Sequence, residues 1–311
     1  MSHDDCCLPE TNTDLLGPLP KQVKDRVCAL KKLQRDSIQV EAEFYKKVHA
    51  LEVEFEKQFK PIFDKRSKII SGEYQPTAEE CEADIIDGLD ADSIKGLYET
   101  SKEDAGEKGI PQFWLHVLRS HDLISDTIQE HDVPILNHLI DVTTATFNDP
   151  AKFILDFHFS KNEYFTNEVL TKEYYLELNA DPEQIIHYDG PQVIRAVGTK
   201  IDWIDGKNVT KKAVKKKAKK GASAGKFLTK TVKADSFFNF FDPPTAPADK
   251  NEDDEENGAE ELLEMDAEVG QAIRDSIIPR AVLFYTGEIS SDDMFDFGGE
   301  DAEFSEEDDD E

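Results

Sequence analysis

The sequence predicts an α+β protein in which one long N-terminal helix precedes a lobe built on an antiparallel β-sheet. Apolar residues in the N-terminal third recur at helical spacing, and those near the middle alternate with polar residues as in a strand. Charge is segregated into a lysine block followed by strongly acidic segments. We therefore expect a disordered leader (1–20), a long helix (21–75), an α+β lobe (76–287) and an acidic disordered tail (288–311).

The composition excludes several classes of function. The 311 residues include 67 acidic and 36 basic ones, which gives a formal net charge of −31. Phosphates would be repelled, so strong direct binding to nucleic acid is not expected. No run of about 18 apolar residues occurs, so we expect no membrane span. The four cysteines show no CxxC spacing, and no common catalytic or phosphate-binding motif is present, so we expect no enzyme, metal or cofactor.

The long helix is predicted from apolar residues that follow one another at steps of 4, 3, 4, 4 and 3 from Phe44 to Ile62. The stretch from Lys21 to Lys60 would measure about 60 Å, and we expect Pro61 to bend or end it. Its stripe packs either on its own domain or against a second copy. We favour a homodimer, because sustained spacing of this kind is typical of coiled coils. The interface candidates are Val27, Leu30, Phe44, Val48, Leu51 and Phe55.

The lobe is predicted to begin with helices and to continue with strands. Residues 77–109 contain turn signals and look loop-rich or weakly helical. Helices are expected from Pro111, over Leu123–Ile128 and over Val133–Val142. Residues 151–160 alternate in polarity and predict a strand. Further strands are expected at Val169–Leu178, Ile185–Tyr188, Val193–Val197 and Thr199–Ile204, so the helices should cover one face of an antiparallel sheet.

A lysine block occupies residues 211–233, with ten lysines and no acidic residue. A glycine-rich centre predicts a basic β-hairpin over about 207–233. The block could bind nucleic acid, bind a nuclear import receptor, or pair with the acidic segments of the same chain. We favour the import receptor, because aromatic residues are not interleaved with the lysines as in single-strand binders. The import candidates are Lys211, Lys212, Lys215, Lys216, Lys217, Lys219 and Lys220.

Acidic segments follow the lysine block and an aromatic run at Ser236–Pro244 that must be buried. Residues 249–268 hold eleven acids, a short amphipathic helix is expected from Val269 to Ile278, and the last 24 residues hold 13 acids. The tail either serves only to keep the protein soluble or binds basic proteins. In the second case its phenylalanines would add apolar contacts to the ionic ones. The tail candidates for such binding are Asp292, Asp293, Phe295, Phe297, Glu306, Glu307 and Asp308. Ser290 and Ser305 precede acids, as phosphorylation sites of acidophilic kinases do.

Four stretches together resemble the nucleosome assembly protein family of histone chaperones. They read GIPQFWL at 109–115, NEYFTN at 162–167, SFFNFFDPP at 236–244 and IIPRAVLFYTG at 277–287, in the order of the family. The resemblance implies an antiparallel homodimer of long helices and an earmuff-like lobe with a protruding basic hairpin. It also implies an acidic underside that holds core histones, shuttling between cytoplasm and nucleus, and no cofactor.

On this resemblance, acids that flank ordered elements of the lobe are candidates for histone contact. They are Glu130, Asp132 and Asp141 on the helical stretches and Glu260, Glu261 and Glu264 before the last helix. Each could equally be an ordinary solvated acid. The alternative function is an acidic regulatory adaptor, similar to the phosphatase-inhibiting SET-type relatives.

Overall fold

The computed structural model describes residues 13–82, 84–99, 106, 108–217, 227–243 and 257–290. The helices are α1 (Thr13–Leu16), α2 (Lys21–Ile70), α3 (Ala91–Glu99), α4 (Phe113–Arg119), α5 (Asp122–Ser125), α6 (Val133–Leu136), α7 (Asn257–Ala272) and α8 (Ala281–Thr286). A π-helical turn, Ile273–Ile277, follows α7, and 3-10 turns lie at Glu79–Cys81, Ile185–His187 and Phe237–Phe241. Within the described residues, no helix combines the length and apolarity needed to cross a membrane.

The strands form two sheets. The larger sheet has the order β1 (Leu139–Asn148), β2 (Ala151–Phe159), β3 (Val169–Glu177) and β4 (Gln192–Gly198). Its first three strands are antiparallel neighbours. The smaller sheet pairs β5 (Lys211–Lys217) with β6 (Phe227–Lys233) in antiparallel register. A long N-terminal helix followed by a domain with an antiparallel sheet is therefore confirmed.

Two compact units divide the chain: Met1–Leu51 with Glu177–Gln192, and Glu52–Leu176 with Val193–Glu311. In the first unit, Ile38, Ala42 and His49 are buried on one face of α2. The segment 177–192 lies against the same helix, because a Cβ on Gly190 would meet the Tyr45 ring at 3.7 Å.

The core of the second unit lies on one face of the larger sheet. Phe153, Leu155, Phe157 and Phe159 of β2 are all buried, as strand alternation predicts. The aromatic turn Phe237–Phe241 packs on them, with Phe157 and Phe241 ring centroids 5.3 Å apart. The predicted burial of the aromatic run is thus confirmed, and this core fixes the position of α7, whose Leu263 and Ala267 join it.

Several predicted elements differ in the structure. The expected helix over Val133–Val142 is wrong beyond Leu136, because Leu139 and Val142 lie on β1, where backbone pairing with β2 replaces helical hydrogen bonds. Ile185–Tyr188 is a 3-10 turn rather than a strand. The stretch Thr199–Ile204 makes only an isolated bridge, between Trp203 and Phe165, within the described residues.

The helix boundaries also differ from the expected ones. Helix α2 continues through Pro61 to Ile70, so Pro61 does not end the helix, although it removes one backbone donor and its ring crowds the carbonyl four residues earlier. Helix α7 begins at Asn257, twelve residues before the expected start. Part of the predicted leader is helical, as α1. The predictions for residues 1–12, for the hairpin centre 218–226 and for the tail from residue 291 lie outside the described residues.

Candidate functional site

Helix α7 presents three of the predicted histone-contacting acids to solvent. Glu260, Glu261 and Glu264 are exposed, whereas Leu263 and Ala267 are buried in the core of the second unit. This separation follows from the amphipathic period of the helix, which places residues three and four apart on one face. The carboxylates are therefore accessible and stand on an element that the core holds in place.

A buried ion pair joins α7 to the sheet. The Lys172 ammonium on β3 donates to Asp266 Oδ1 at 2.7 Å and also to the backbone carbonyl of Phe240. Tyr174 donates its hydroxyl to the Asp266 carbonyl at 2.9 Å. Burial lowers the pKa of Lys172 and raises the pKa of Asp266, while their mutual attraction opposes both shifts. Breaking this pair would leave a buried charge uncompensated, which makes it a strong constraint on the position of α7.

Asp132 is a structural residue, and its prediction as a surface contact for histones is wrong. Its side chain is fully buried. Its two carboxylate oxygens accept hydrogen bonds from Ser236 Oγ at 2.6 Å and from the Phe237 backbone N–H at 2.7 Å. It thereby orients the start of the aromatic turn, and it has no surface left for a partner. Glu130 is exposed and stays a candidate.

Asp141 lies on β1, not on a helix, and it lines a cavity of about 470 Å³ between α2 and the sheet. Burial raises the pKa of its carboxyl, although hydrogen bonding to Ser67 and the nearby Arg66 and His158 oppose the shift. Arg66 is also largely enclosed and donates to the backbone carbonyl of Ile278 at 2.5 Å. Asp141 is therefore half-buried among these groups; its predicted place on a helix is wrong, and its contact with histones stays a prediction.

Helix α2 carries a row of large apolar side chains that remain exposed, which we call the α2 stripe. At 100° per residue its members fall within an arc of roughly 100°. Four of them are among the interface candidates predicted from the sequence, and the structure adds four others on the same face. The α2 stripe consists of Leu30, Leu33, Val40, Phe44, Leu51, Phe55, Phe59 and Ile62.

Two of the predicted interface candidates do not belong to the α2 stripe. Val27 and Val48 are half-buried within the chain rather than exposed. At 100° per residue, Val27 lies about 40° outside the arc of the α2 stripe, whereas Val48 lies within it. Of the four added residues, Phe59 and Ile62 already belong to the spacing that runs from Phe44 to Ile62, and Leu33 and Val40 precede Phe44 on the same face.

The remaining candidates divide between described and undescribed residues. Lys211 and Lys212 are exposed, and Lys215, Lys216 and Lys217 lie on β5. Ser290 is exposed. Lys219, Lys220, Ser305 and the tail candidates Asp292, Asp293, Phe295, Phe297, Glu306, Glu307 and Asp308 lie outside the described residues. In the part of the chain that is described, no three His, Cys, Asp or Glu side chains converge as metal ligands.

Comparison with known proteins assigns the chain to a family. The model of the nucleosome assembly protein (NAP) family matches residues 25–288. Nucleosome assembly protein 1-like 1 of Homo sapiens is 46% identical over 300 residues, covering 93% of this chain and 76% of that protein. Nucleosome assembly protein 1-like 1-A of Xenopus laevis is 47% identical over 296 residues, covering 92% and 74%.

A solved structure supports the same assignment. Nucleosome Assembly Protein 1 from Plasmodium knowlesi aligns with a TM-score of 0.52 and 29% identity, covering 87% of this chain and 99% of that one. The matched range includes the long helix, the sheet, the aromatic turn and α7. The agreement of sequence and fold over most of the chain shows that this protein belongs to the nucleosome assembly protein family.

Proposed function

We propose that this protein is a histone chaperone that binds core histones through acidic surfaces and deposits them during nucleosome assembly. The observation that carries the proposal is the family match over residues 25–288, together with relatives whose names state nucleosome assembly. The net charge of −31 supports it, because a polyanion attracts strongly basic proteins.

The mechanism we propose is shielding followed by exchange. Histones associate with DNA through the release of condensed counterions, so their non-specific contacts are strong at low salt. The exposed carboxylates of Glu260, Glu261 and Glu264, with Glu130, would occupy part of the cationic surface and block those contacts. Because DNA has a higher charge density than a protein surface, DNA in the correct geometry can take the histones back.

We also propose that the functional unit is a homodimer held by the α2 stripe. Eight large apolar side chains exposed along one helix face exceed what a soluble monomer usually leaves uncovered. The spacing fits the seam of two paired helices. Two copies would act on one histone cargo together, which raises the apparent affinity through effective concentration.

The basic pair of strands supports a further part of the proposal, namely recognition by an import receptor. Lys211 and Lys212 are exposed on β5, and clusters of this kind are typical import signals. A chaperone that collects new histones in the cytoplasm and releases them in the nucleus would need such a signal.

A binding assay with purified core histones, carried out at increasing salt concentrations, tests the proposal. We expect stoichiometric binding that weakens steeply with salt, because the contacts are ionic. Replacing Glu260, Glu261 and Glu264 together with Gln should lower the affinity about tenfold and flatten the salt dependence. A matched control replaces three other exposed acids, Glu73, Glu79 and Glu82, with Gln and removes the same charge.

The outcomes separate the proposal from the adaptor alternative. If the wild-type chain does not retain histones at moderate salt, the chaperone proposal fails. Salt-insensitive binding of a neutral partner, such as a phosphatase, would support the regulatory adaptor instead. If both triple variants lose affinity equally, net charge alone explains binding, and α7 is not a specific contact surface.

A further inference from the structure

Helix α7 leaves two large apolar side chains uncovered beside its carboxylates. Leu262 is 55% exposed and Met265 is 64% exposed. Val269, which packs partly on the core, continues the row, so the three residues follow the spacing i, i+3, i+7. We call these three residues the α7 apolar stripe.

An acidic row runs parallel to the α7 apolar stripe. Glu261, Glu264 and Glu268 are exposed and repeat at the same spacing, i, i+3, i+7. At 100° per residue, this row lies about 100° around the helix from the apolar one. The two rows together make a surface with one apolar and one acidic side, which we call the α7 amphipathic face.

Resting on the proposed function, we propose that the α7 amphipathic face binds an amphipathic basic helical segment of the histone cargo. Such a segment would set its own apolar residues on Leu262 and Met265 and its lysines or arginines on Glu261, Glu264 and Glu268. Recognition would therefore combine ionic and apolar contact, and the apolar contact selects a folded cationic protein over a plain polycation.

Charge complementarity decides between possible occupants. A second copy of the same face would bring Glu261, Glu264 and Glu268 against their own counterparts, and like charges at contact distance are destabilising. A neutral apolar partner would leave the acidic row desolvated without compensation. A basic segment with an apolar stripe satisfies both sides of the face.

The face is held ready for binding by the core beneath it. The Lys172–Asp266 ion pair fixes the middle of α7, and Gly270 lies so close to the Tyr174 ring that a Cβ would overlap it. A helix that is already positioned loses little conformational entropy on binding. The flexible thioether of Met265 allows contact with apolar residues of different shape.

The test separates the apolar contribution from the ionic one. Leu262→Gln with Met265→Gln removes the exposed apolar contact but no charge, and glutamine keeps a high helix propensity. We expect the dissociation constant for purified, folded core histone dimers to rise about tenfold or more, with an unchanged salt slope. Binding of poly-lysine, which has no apolar stripe, should stay within twofold. Far-ultraviolet circular dichroism should show an unchanged fold.

Two further variants serve as controls. Ile194→Gln changes a comparably exposed residue on β4, 50% exposed, and should leave binding of the histone dimers unchanged. Replacing Glu261, Glu264 and Glu268 with Gln should weaken the binding of both histone dimers and poly-lysine and should flatten the salt slope.

The outcomes distinguish this inference from the proposed function. If wild-type protein binds the histone dimers and the Leu262→Gln, Met265→Gln variant binds them equally well, the inference is wrong while the chaperone proposal stands. If the double variant changes the mass of the free protein in sedimentation, the apolar stripe contacts a second copy, and the inference is overturned. If wild-type protein binds neither histones nor poly-lysine, the proposed function fails.

Discussion

Asp132 and Asp141 are the same residue type nine positions apart, yet neither lies on an open acidic surface. Asp132 is fully buried and is satisfied by neutral donors at the start of the aromatic turn. Asp141 lines a cavity beside Arg66 and Ser67. These two carboxyl groups therefore contribute to local structure, and among the lobe candidates for histone contact the exposed ones are Glu130 and the α7 residues Glu260, Glu261 and Glu264.

At the scale of single residues, Asp132→Ala should lower the free energy of unfolding by about 3 kcal/mol. It leaves the buried Ser236 hydroxyl and the Phe237 N–H without acceptors. Urea unfolding followed by circular dichroism measures the loss. Folded Asp132→Ala should bind histones as well as the wild type. Glu130→Ala, which changes an exposed neighbour, should leave stability within about 0.5 kcal/mol.

Asp141→Asn should change how stability depends on pH. Burial raises the pKa of Asp141, so the folded chain binds this proton more tightly than the unfolded chain. Stability contributed by Asp141 therefore falls as pH rises from the unfolded pKa, about 4, through the higher folded pKa. The stability of Asp141→Asn relative to wild type should increase over that window, as measured by unfolding at several pH values. A relative decrease would show that the folded pKa is depressed.

At the scale of elements, α7 depends on close contact rather than on its own sequence. The helix has 16 residues, and an isolated helix of about this length is only marginally stable in water even with good helix formers. The buried Leu263 and Ala267, the Lys172–Asp266 pair and the Gly270–Tyr174 contact fix it against the sheet. Packing therefore keeps the acidic row in one orientation.

Gly270→Ala should destabilise the protein by about 1–3 kcal/mol, because the added methyl group overlaps the Tyr174 ring within a packed core. The matched control is Gly258→Ala in the same helix, where a Cβ meets nothing within 4 Å. That change should stabilise slightly, by up to about 1 kcal/mol, through helix propensity. Thermal unfolding of the two variants compares them directly. Equal effects at both positions would show that the contact with Tyr174 does not constrain α7.

At the scale of the whole molecule, charge and apolar surface have separate roles. The net charge of −31 opposes the close approach of two copies, and the α2 stripe supplies the apolar contact that would overcome it. Dimerisation would then double the number of acidic surfaces available to one cargo. Affinity for histones should therefore depend on the oligomeric state as well as on local carboxylates.

Phe44→Asp with Leu51→Asp should raise the dissociation constant of the dimer at least about a thousandfold, because each dimer buries four charges in place of four apolar side chains. Sedimentation should then report a mass of 35.2 kDa instead of twice that value. Histone affinity should fall with the loss of avidity. Lys57→Asp, an exposed change outside the α2 stripe, is the control and should stay dimeric. A double variant that remains a folded dimer contradicts the assignment of the seam.

Periodicity in the sequence was sufficient to predict the long helix and the alternating strand β2. Each element carries its apolar residues on one regular face, exposed on α2 and buried on β2, so the spacing is visible without knowledge of the neighbours. The burial of the aromatic run at Phe237–Phe241 was predicted from its clustered aromatic residues rather than from a period. Periodicity alone gave a wrong prediction at Val133–Val142, because a short run of apolar residues fits a helix and a strand equally. Pairing with β2 makes the second half of this stretch a strand.

The sequence by itself determined the fold class, the segregation of charge and the family, because these depend on composition, period and motifs along the chain. Only the tertiary structure decided which carboxylates are accessible. Asp132 and Glu260 are both acidic residues near predicted helices. Asp132 is enclosed by hydrogen-bond donors from residues more than a hundred positions away, whereas Glu260 faces solvent. Burial and hydrogen bonding arise from such long-range contacts, which no local pattern records.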